Sequence, residues 1–555
     1  MNNIEVVIEN FNERRYVEHG TSLAEIVNQS KTQFMELTSG RPILGALVNN
    51  RLQTLQYRIY NPRTIEFFDI SHRQGKRLYQ HSLGFMCYKA VKDTYPSARL
   101  YFDHSLLNGT FCRIEGIETD HATVCENVSR RMAQLQQQDI PFTSRVMLKE
   151  DALKLISKED IPETYRLLSN LKQLYIEMQF LDGTVHKLAS RTVPSTGCLN
   201  GWSLELFEDG YLLNMPEPEI NYHFDRADKL FNIFQEHHKW VKLLRIPTVT
   251  DLNNVIRAGG ANRLVQVAEA LHEKKYAEIA EMIHRRSDKV RMVLIAGPSS
   301  SGKTTSCRRL SVQLNVLGHD VKQISLDDYF VSRDRTPKLP NGEYDFESID
   351  ALDIALLNDH LKRLFNGEEV QVPTFDFVKG DPYFSGKTMR LQPNNLLLIE
   401  GIHALNPKLT EQIADELKFK VYVSALTQVA IDDQNIIHSS DNRLMRRIVR
   451  DNSFRGWNAQ ETLKRWENVQ AGERKHIFPY QENADVMFNS ALFYEGALLK
   501  AYAEPLLKQV PENCKEYAEA CRLLNFVEII EPIDPKVIPP TSVMREFLGG
   551  SSFEY

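Results

Sequence analysis

The sequence predicts a multidomain α/β chain: a C-terminal half built on a mostly parallel sheet, preceded by smaller α+β modules. Three observations predict it. From Arg291 onward, short apolar runs alternate with helical stretches, which is the pattern of βαβ units. A glycine- and serine-rich loop joins the first strand of that series to its first helix. The front of the chain mixes β-like runs with helices and shows no internal repeat, so a solenoid is excluded. A length of 555 residues implies about three or four domains.

In order, residues 1–68 carry the β-like runs IEVVIEN, ILGALVNN and RTIEFFDI and one helical stretch, SLAEIVNQ, with Thr21 or Ser22 as its N-cap. Residues 69–222 mix the helices LYQHSLGFMCYKAVKD and VCENVSRRMAQLQQQ with the strands ARLYFDH, YIEMQFL, WSLELFE and YLLNMP. Residues 223–289 read as a helical linker broken at Gly259 and Gly260. Within 290–555 the strand candidates are RMVLIAG, VKQISL, NNLLLIEG, KFKVYVSA, ADVMFNS and NFVEII. The proline-rich tail after Pro532 packs on this last domain or trails from it.

Hydrophobic content of 42% and charged content of 25% are ordinary globular values. A net charge of -6 argues against a general polyanion binder, leaving room for a local basic patch. No apolar run is long enough to span a membrane, and MNNIEVVIEN carries acids where a secretory signal would be basic and apolar. Seven scattered cysteines without a CxxC pair suit reduced thiols, so a cytoplasmic protein is expected.

The chemistry concentrates in GPSSSGKT, residues Gly297, Pro298, Ser299, Ser300, Ser301, Gly302, Lys303 and Thr304, which satisfies G-x-x-x-x-G-K-[ST] between a strand and a helix. Small residues let successive N–H groups turn inward and cradle phosphates at the positive end of the helix, which Thr305 continues. Lys303 is then placed for the β and γ phosphates of ATP, and the Thr304 hydroxyl for Mg²⁺. No N-K-x-D guanine-reading segment occurs.

SLDDYF puts Asp327 and Asp328 at the carboxyl end of a strand, the edge where open α/β sheets bind ligands; a solvated turn or N-cap is the alternative. LLLIEG ends a buried strand on Glu400, an acid that is costly there unless it meets a cation such as Mg²⁺. RLMRRIVRDNSFRG carries Arg443, Arg446, Arg447, Arg450 and Arg455, a helical face suited to closing over a triphosphate, or else an ordinary solvated face.

Together, GPSSSGKTT, LDDYF, YDFESIDALD, VPTFDFV, LIEGIHAL and RLMRRIVRD resemble the uridine kinase and phosphoribulokinase group of P-loop kinases over about Arg291 to Asn489. The resemblance implies a general base at Asp327 and a ribose-binding acid at Asp345. It implies a base-flanking aromatic pair at Phe375 and Phe377, and lid arginines at Arg447, Arg450 and Arg455. Three base-reading positions depart from that family: Gly380, Trp457 and Arg465. Losing those hydrogen-bonding groups changes discrimination among acceptors.

The front half has other relatives. Residues 1–68 resemble a TGS module, a β-grasp unit. Residues 69–222 resemble the second additional, editing-type domain of threonyl-tRNA synthetases. Of that domain's polar set only His81 survives; the other positions are Phe85, Leu188 and Thr192, which implies lost editing chemistry and a scaffold or recognition role. HEKKY at His272 lacks the second histidine of a metalloprotease motif.

The expected activity is ATP- and Mg²⁺-dependent phosphorylation of a nucleoside-like small molecule at its ribose 5′-hydroxyl. Two alternatives stay open: a kinase for another hydroxylated acceptor such as a sugar phosphate, and a nucleotide-dependent regulator whose front half contacts RNA.

Overall fold

A computed structural model describes residues 3–106, 109–159, 161–187, 190–216, 228–340, 342–376, 379–427 and 429–554. Residues 3–68 form a mixed five-stranded sheet whose order is Glu13–Glu18, Asn3–Ile8, Arg63–Phe68, Gly45–Val48, Arg51–Gln53. Alternation along Asn3–Ile8 buries Ile4, Val6 and Ile8 against Leu23, Ile26 and Phe34 of the short helices. Ser22, rather than Thr21, caps helix Leu23–Gln29, in a capping box with Glu25.

The second region is organised on α1 (Arg73–Thr94), whose Tyr79, Phe85 and Met86 are fully buried. A four-stranded antiparallel sheet, Ser203–Phe207, Gly210–Asn214, Gly109–Glu115 and Arg99–Leu106, and a three-stranded one ending on Thr143–Leu148 complete it. Helices Asp228–Leu244, Val249–Arg257 and Ala261–His284 follow, with Gly259 and Gly260 between the last two as expected. No helix among the described residues is long and apolar enough to cross a membrane.

The last region is built on a parallel sheet. Its strands are β1 (Met292–Ala296), β2 (Asp320–Ser325), β3 (Asn395–Glu400), β4 (Lys418–Ser424) and β5 (Val486–Asn489), in the order β2-β3-β1-β4-β5. Every residue of β1 and β3 is buried, as central strands covered on both faces require. The register pairs Ile295 and Ser325 with Glu400, and Ser424 with Asn489, so the carboxyl ends of all five strands lie along one edge. From β1 the chain turns through residues 297–302 into α2 (Lys303–Val316). Then come α3 (Ser439–Phe454), α4 (Ala459–His476), a helix at Glu495–Lys508, and α5 (Tyr517–Glu528).

One strand expectation is corrected. NFVEII lies mostly in α5, because Leu523, Val527 and Ile530 are the buried positions and their spacing of three to four is helical. The proline-rich tail packs: Ile538, Val543, Met544 and Phe547 join the same core as α3 and α4.

The front half grips the kinase region around α3. Arg73 and Arg77 of α1 bind Glu519 of α5, and Arg522 bridges Glu519 to Asp441 in the first turn of α3. The segment leading into α3 is also held: Phe102 N–H donates to the Asp433 carbonyl (2.9 Å) and Thr164 to Asp432 (3.0 Å).

Candidate active site

The site grows from the turn between β1 and α2. Gly297 sits so close to the Val423 carbonyl of β4 that any side chain would collide, and Gly302 turns at φ 82°, a left-handed conformation glycine adopts freely. These two positions let the loop fold closely over the sheet edge before α2 begins. Lys303 is the first residue of α2; its ammonium donates to the Pro298 carbonyl at 3.1 Å, across the mouth of the loop. The Thr304 hydroxyl donates to Glu400 at 3.4 Å, and Ser325 donates to the same carboxylate at 3.0 Å.

Glu400 is buried, and burial pushes its carboxyl well above the ordinary range, with Asp327 adding to the rise and Lys303 opposing it. A hydroxyl and a buried, charge-starved carboxylate side by side are hard oxygen donors that fit Mg²⁺. Asp327 stands in the 3₁₀ turn Leu326–Tyr329 after β2, its N–H capped by Ser325. Its neighbour does different work: the Asp328 carboxylate accepts the Phe375 N–H at 3.4 Å and braces the Thr374–Asp376 strand.

Phe375 is buried and packs 5.6 Å from Phe330, whereas Phe377 lies outside the described residues. Asp345 is half-buried and spends its carboxylate on the Glu347 N–H at 3.2 Å. Glu347 was not singled out from sequence. Its Oε2 is buried without a hydrogen-bond partner among the described residues. Burial raises its pKa to about 7, tempered by Arg447 and Lys303 and reinforced by Glu473 and Asp327. An unpaired acid beside Lys303 and Asp327 is a candidate for holding substrate hydroxyls.

The arginine helix divides by role. Arg443 and Arg446 are almost wholly buried in forked pairs with Glu473 (2.8 Å for the longer contact) and Glu495 (2.7 Å). They also clamp the loop, donating to the Ser299 and Ser300 carbonyls. Arg447 donates to the Ser299 hydroxyl at 2.8 Å, and Arg447, Arg450 and Arg455 share the buried carboxylate of Asp451. Of these three, Arg447 reaches the loop, and none has a carboxylate to itself.

Two further acids touch the loop: Glu473 accepts the Ser299 N–H (3.1 Å) and Glu546 accepts from Thr305. Neither belongs to a recognisable motif, and each is brought in by a distant helix. At the departures noted above, Arg333 packs against Gly380, and Arg465 lies 3.8 Å over the Trp457 ring. In the front half, the His81 Nδ1–H donates to the Arg77 carbonyl (2.8 Å), Phe85 and Thr192 are buried, and Leu188 lies outside the described residues. Burial lowers the His81 pKa to about 4.

A parallel sheet, a glycine loop capping a helix at its carboxyl edge, and an acid at the end of the next strand define a P-loop phosphotransferase. The model of the phosphoribulokinase / uridine kinase family matches residues 292–492. A uridine kinase of Staphylococcus haemolyticus is 30% identical over 194 residues, 35% of this chain and 84% of that protein. One from Chlamydia pneumoniae is 27% identical over 234 residues, 42% of this chain and 95% of that protein. A solved structure of a possible uridine kinase from Bacillus stearothermophilus covers 38% of this chain and 100% of that chain at 17% identity, with a TM-score of 0.25, too low to carry an argument. The chain belongs to the phosphoribulokinase / uridine kinase family and is an ATP-dependent kinase.

Proposed function

We propose that the protein transfers the γ-phosphoryl group of ATP to the ribose 5′-hydroxyl of a nucleoside. The observation that carries this reading is the phosphate loop at the carboxyl edge of the sheet, where Lys303 reaches the Pro298 carbonyl at 3.1 Å, Thr304 and Ser325 both donate to Glu400, and Arg447 donates to the Ser299 hydroxyl at 2.8 Å. The loop N–H groups and Lys303 hold the phosphates. Thr304 and Glu400 are the residues that would hold Mg²⁺, which would supply neutralisation of the phosphate charge. Asp327 accepts the proton of the attacking hydroxyl as the new O–P bond forms and ADP leaves. Glu347 and Asp345 orient the sugar, and Phe375 gives the base an apolar face. Arg447, Arg450 and Arg455 stabilise charge on the group in flight, with electrostatic positioning supplying most of the acceleration.

A second reading, a kinase for another hydroxylated acceptor such as a sugar phosphate, is favoured by the Arg465–Trp457 stack and by Arg333 against Gly380. Both put guanidinium groups at positions where the family resemblance implies base-reading side chains. An ADP-release assay with ATP and Mg²⁺ across nucleosides and sugar phosphates tests both. Turnover with a nucleoside supports the first reading; turnover confined to sugar phosphates selects the second.

A further inference from the structure

The C-terminal segment 542–548 is wedged between the phosphate loop and α3. Val543, Met544 and Phe547 are fully buried, and Val543 fills the space that a side chain on Gly302 would need. The Arg446 guanidinium, which donates to Ser300 of the loop, lies 5.1 Å from the Phe547 ring centroid. From this anchored backbone the half-buried Glu546 side chain reaches Thr305. Its Oε2 accepts the Thr305 N–H at 3.2 Å and the Thr305 hydroxyl at 2.7 Å.

Thr305 stands one residue past Thr304 in the first turn of α2, where the N–H groups have no partner within the helix and the positive end attracts an anion. A carboxylate there satisfies the donors as a phosphate oxygen would. We propose that Glu546 is an intramolecular competitor for the phosphate cradle, and so the residue that sets the enzyme's affinity for nucleotide. The inference rests on reading the loop as the ATP site.

The energetics suit a gate rather than a block. Nothing in the buried wall has to leave, because rotation of the Glu546 side chain withdraws its carboxylate from both donors. Nucleotide affinity is reduced by the fraction of molecules in which the donors are free. Charge-assisted hydrogen bonds of this kind have strengths that correspond to a tenfold penalty or somewhat more, roughly.

The test is ATP binding measured by calorimetry on the full chain, wild type against Glu546→Ala and Glu546→Gln. Glu546→Ala is expected to bind ATP on the order of tenfold more tightly. Glu546→Gln, which keeps the shape and an acceptor oxygen but loses the charge, shifts less in the same direction. Unchanged or weaker binding by both variants, with wild type binding measurably, overturns the inference while leaving the loop's assignment intact. If none of the three binds ATP, that assignment falls and the inference falls with it. A glutamate that only braced the tail would lower the melting temperature without tightening ATP binding.

Discussion

Two adjacent acids, Asp327 and Asp328, show how much a single hydrogen bond decides. Asp328 is committed to the Phe375 N–H, and Asp327 is the carboxylate that the proposed reading makes the proton acceptor. Asp327→Asn is therefore expected to lower kcat by on the order of a hundredfold to ten-thousandfold while ATP binding persists, measured by steady-state kinetics beside calorimetry. Glu347 makes a pH prediction. Its pKa is raised to about 7, so the folded protein holds a proton that the unfolded chain has released above its ordinary value of 4.5. The unfolded state then binds fewer protons, and this group's contribution to stability falls as pH rises from about 4.5 to about 7. Glu347→Gln should thus melt higher than wild type at pH 8, with the difference shrinking toward pH 5. It should also flatten any rise in activity across pH 6–8, if the ionised carboxylate orients the acceptor.

At the scale of elements, α3 is a structural strut that also carries the arginines of the proposed active site. Arg446 and Glu495 are both almost fully buried, and removing one leaves a buried charge unpaired. Glu495→Ala is expected to cost about 3–5 kcal/mol in denaturant unfolding. Arg447→Ala should behave differently, lowering kcat by roughly a hundredfold with a smaller effect on stability, because Arg447 reaches the Ser299 hydroxyl and its partner Asp451 keeps Arg450 and Arg455. The run RLMRRIVRD thus reads as one basic stripe in sequence, yet its members differ in partner: Arg443 and Arg446 each fork onto their own glutamate, whereas Arg447 and Arg450 share Asp451.

Across the whole molecule, the fused front half is not a loosely tethered passenger. Three arginines, two of them from α1, converge on Glu519 and Asp441 and so tie the first turn of α3 to the front half. These arginines hold the Glu519 carboxyl well below the usual range, although burial by itself opposes that. Its folded pKa is depressed, so the stability it contributes is present above about pH 4.5 and is lost as pH falls toward the folded value. Glu519→Gln should leave the guanidinium groups facing only Asp441 and lower both the melting temperature at pH 7 and turnover, since α3 carries the arginines of the site. Retained turnover in a variant with a lowered melting temperature would separate the docking from catalysis.

The sequence by itself determined the features that are local in the chain. The glycine spacing of 297–304 forces a turn that opens a helix, and the apolar runs around it have no stable place except a covered parallel sheet. NFVEII misled because a short apolar run fits a strand or a buried helical face equally, and only packing against the core that α3 shares chose the helix. What tertiary structure alone decided was which charges meet. Glu347, Glu473 and Glu546 come from three separate segments; Glu347 lies in YDFESIDALD, two residues after Asp345, and nothing in the neighbourhoods of the other two marks them. An ion pair or an unpaired acid is a property of two surfaces brought together, and the energy that makes it matter appears only when water has been excluded between them.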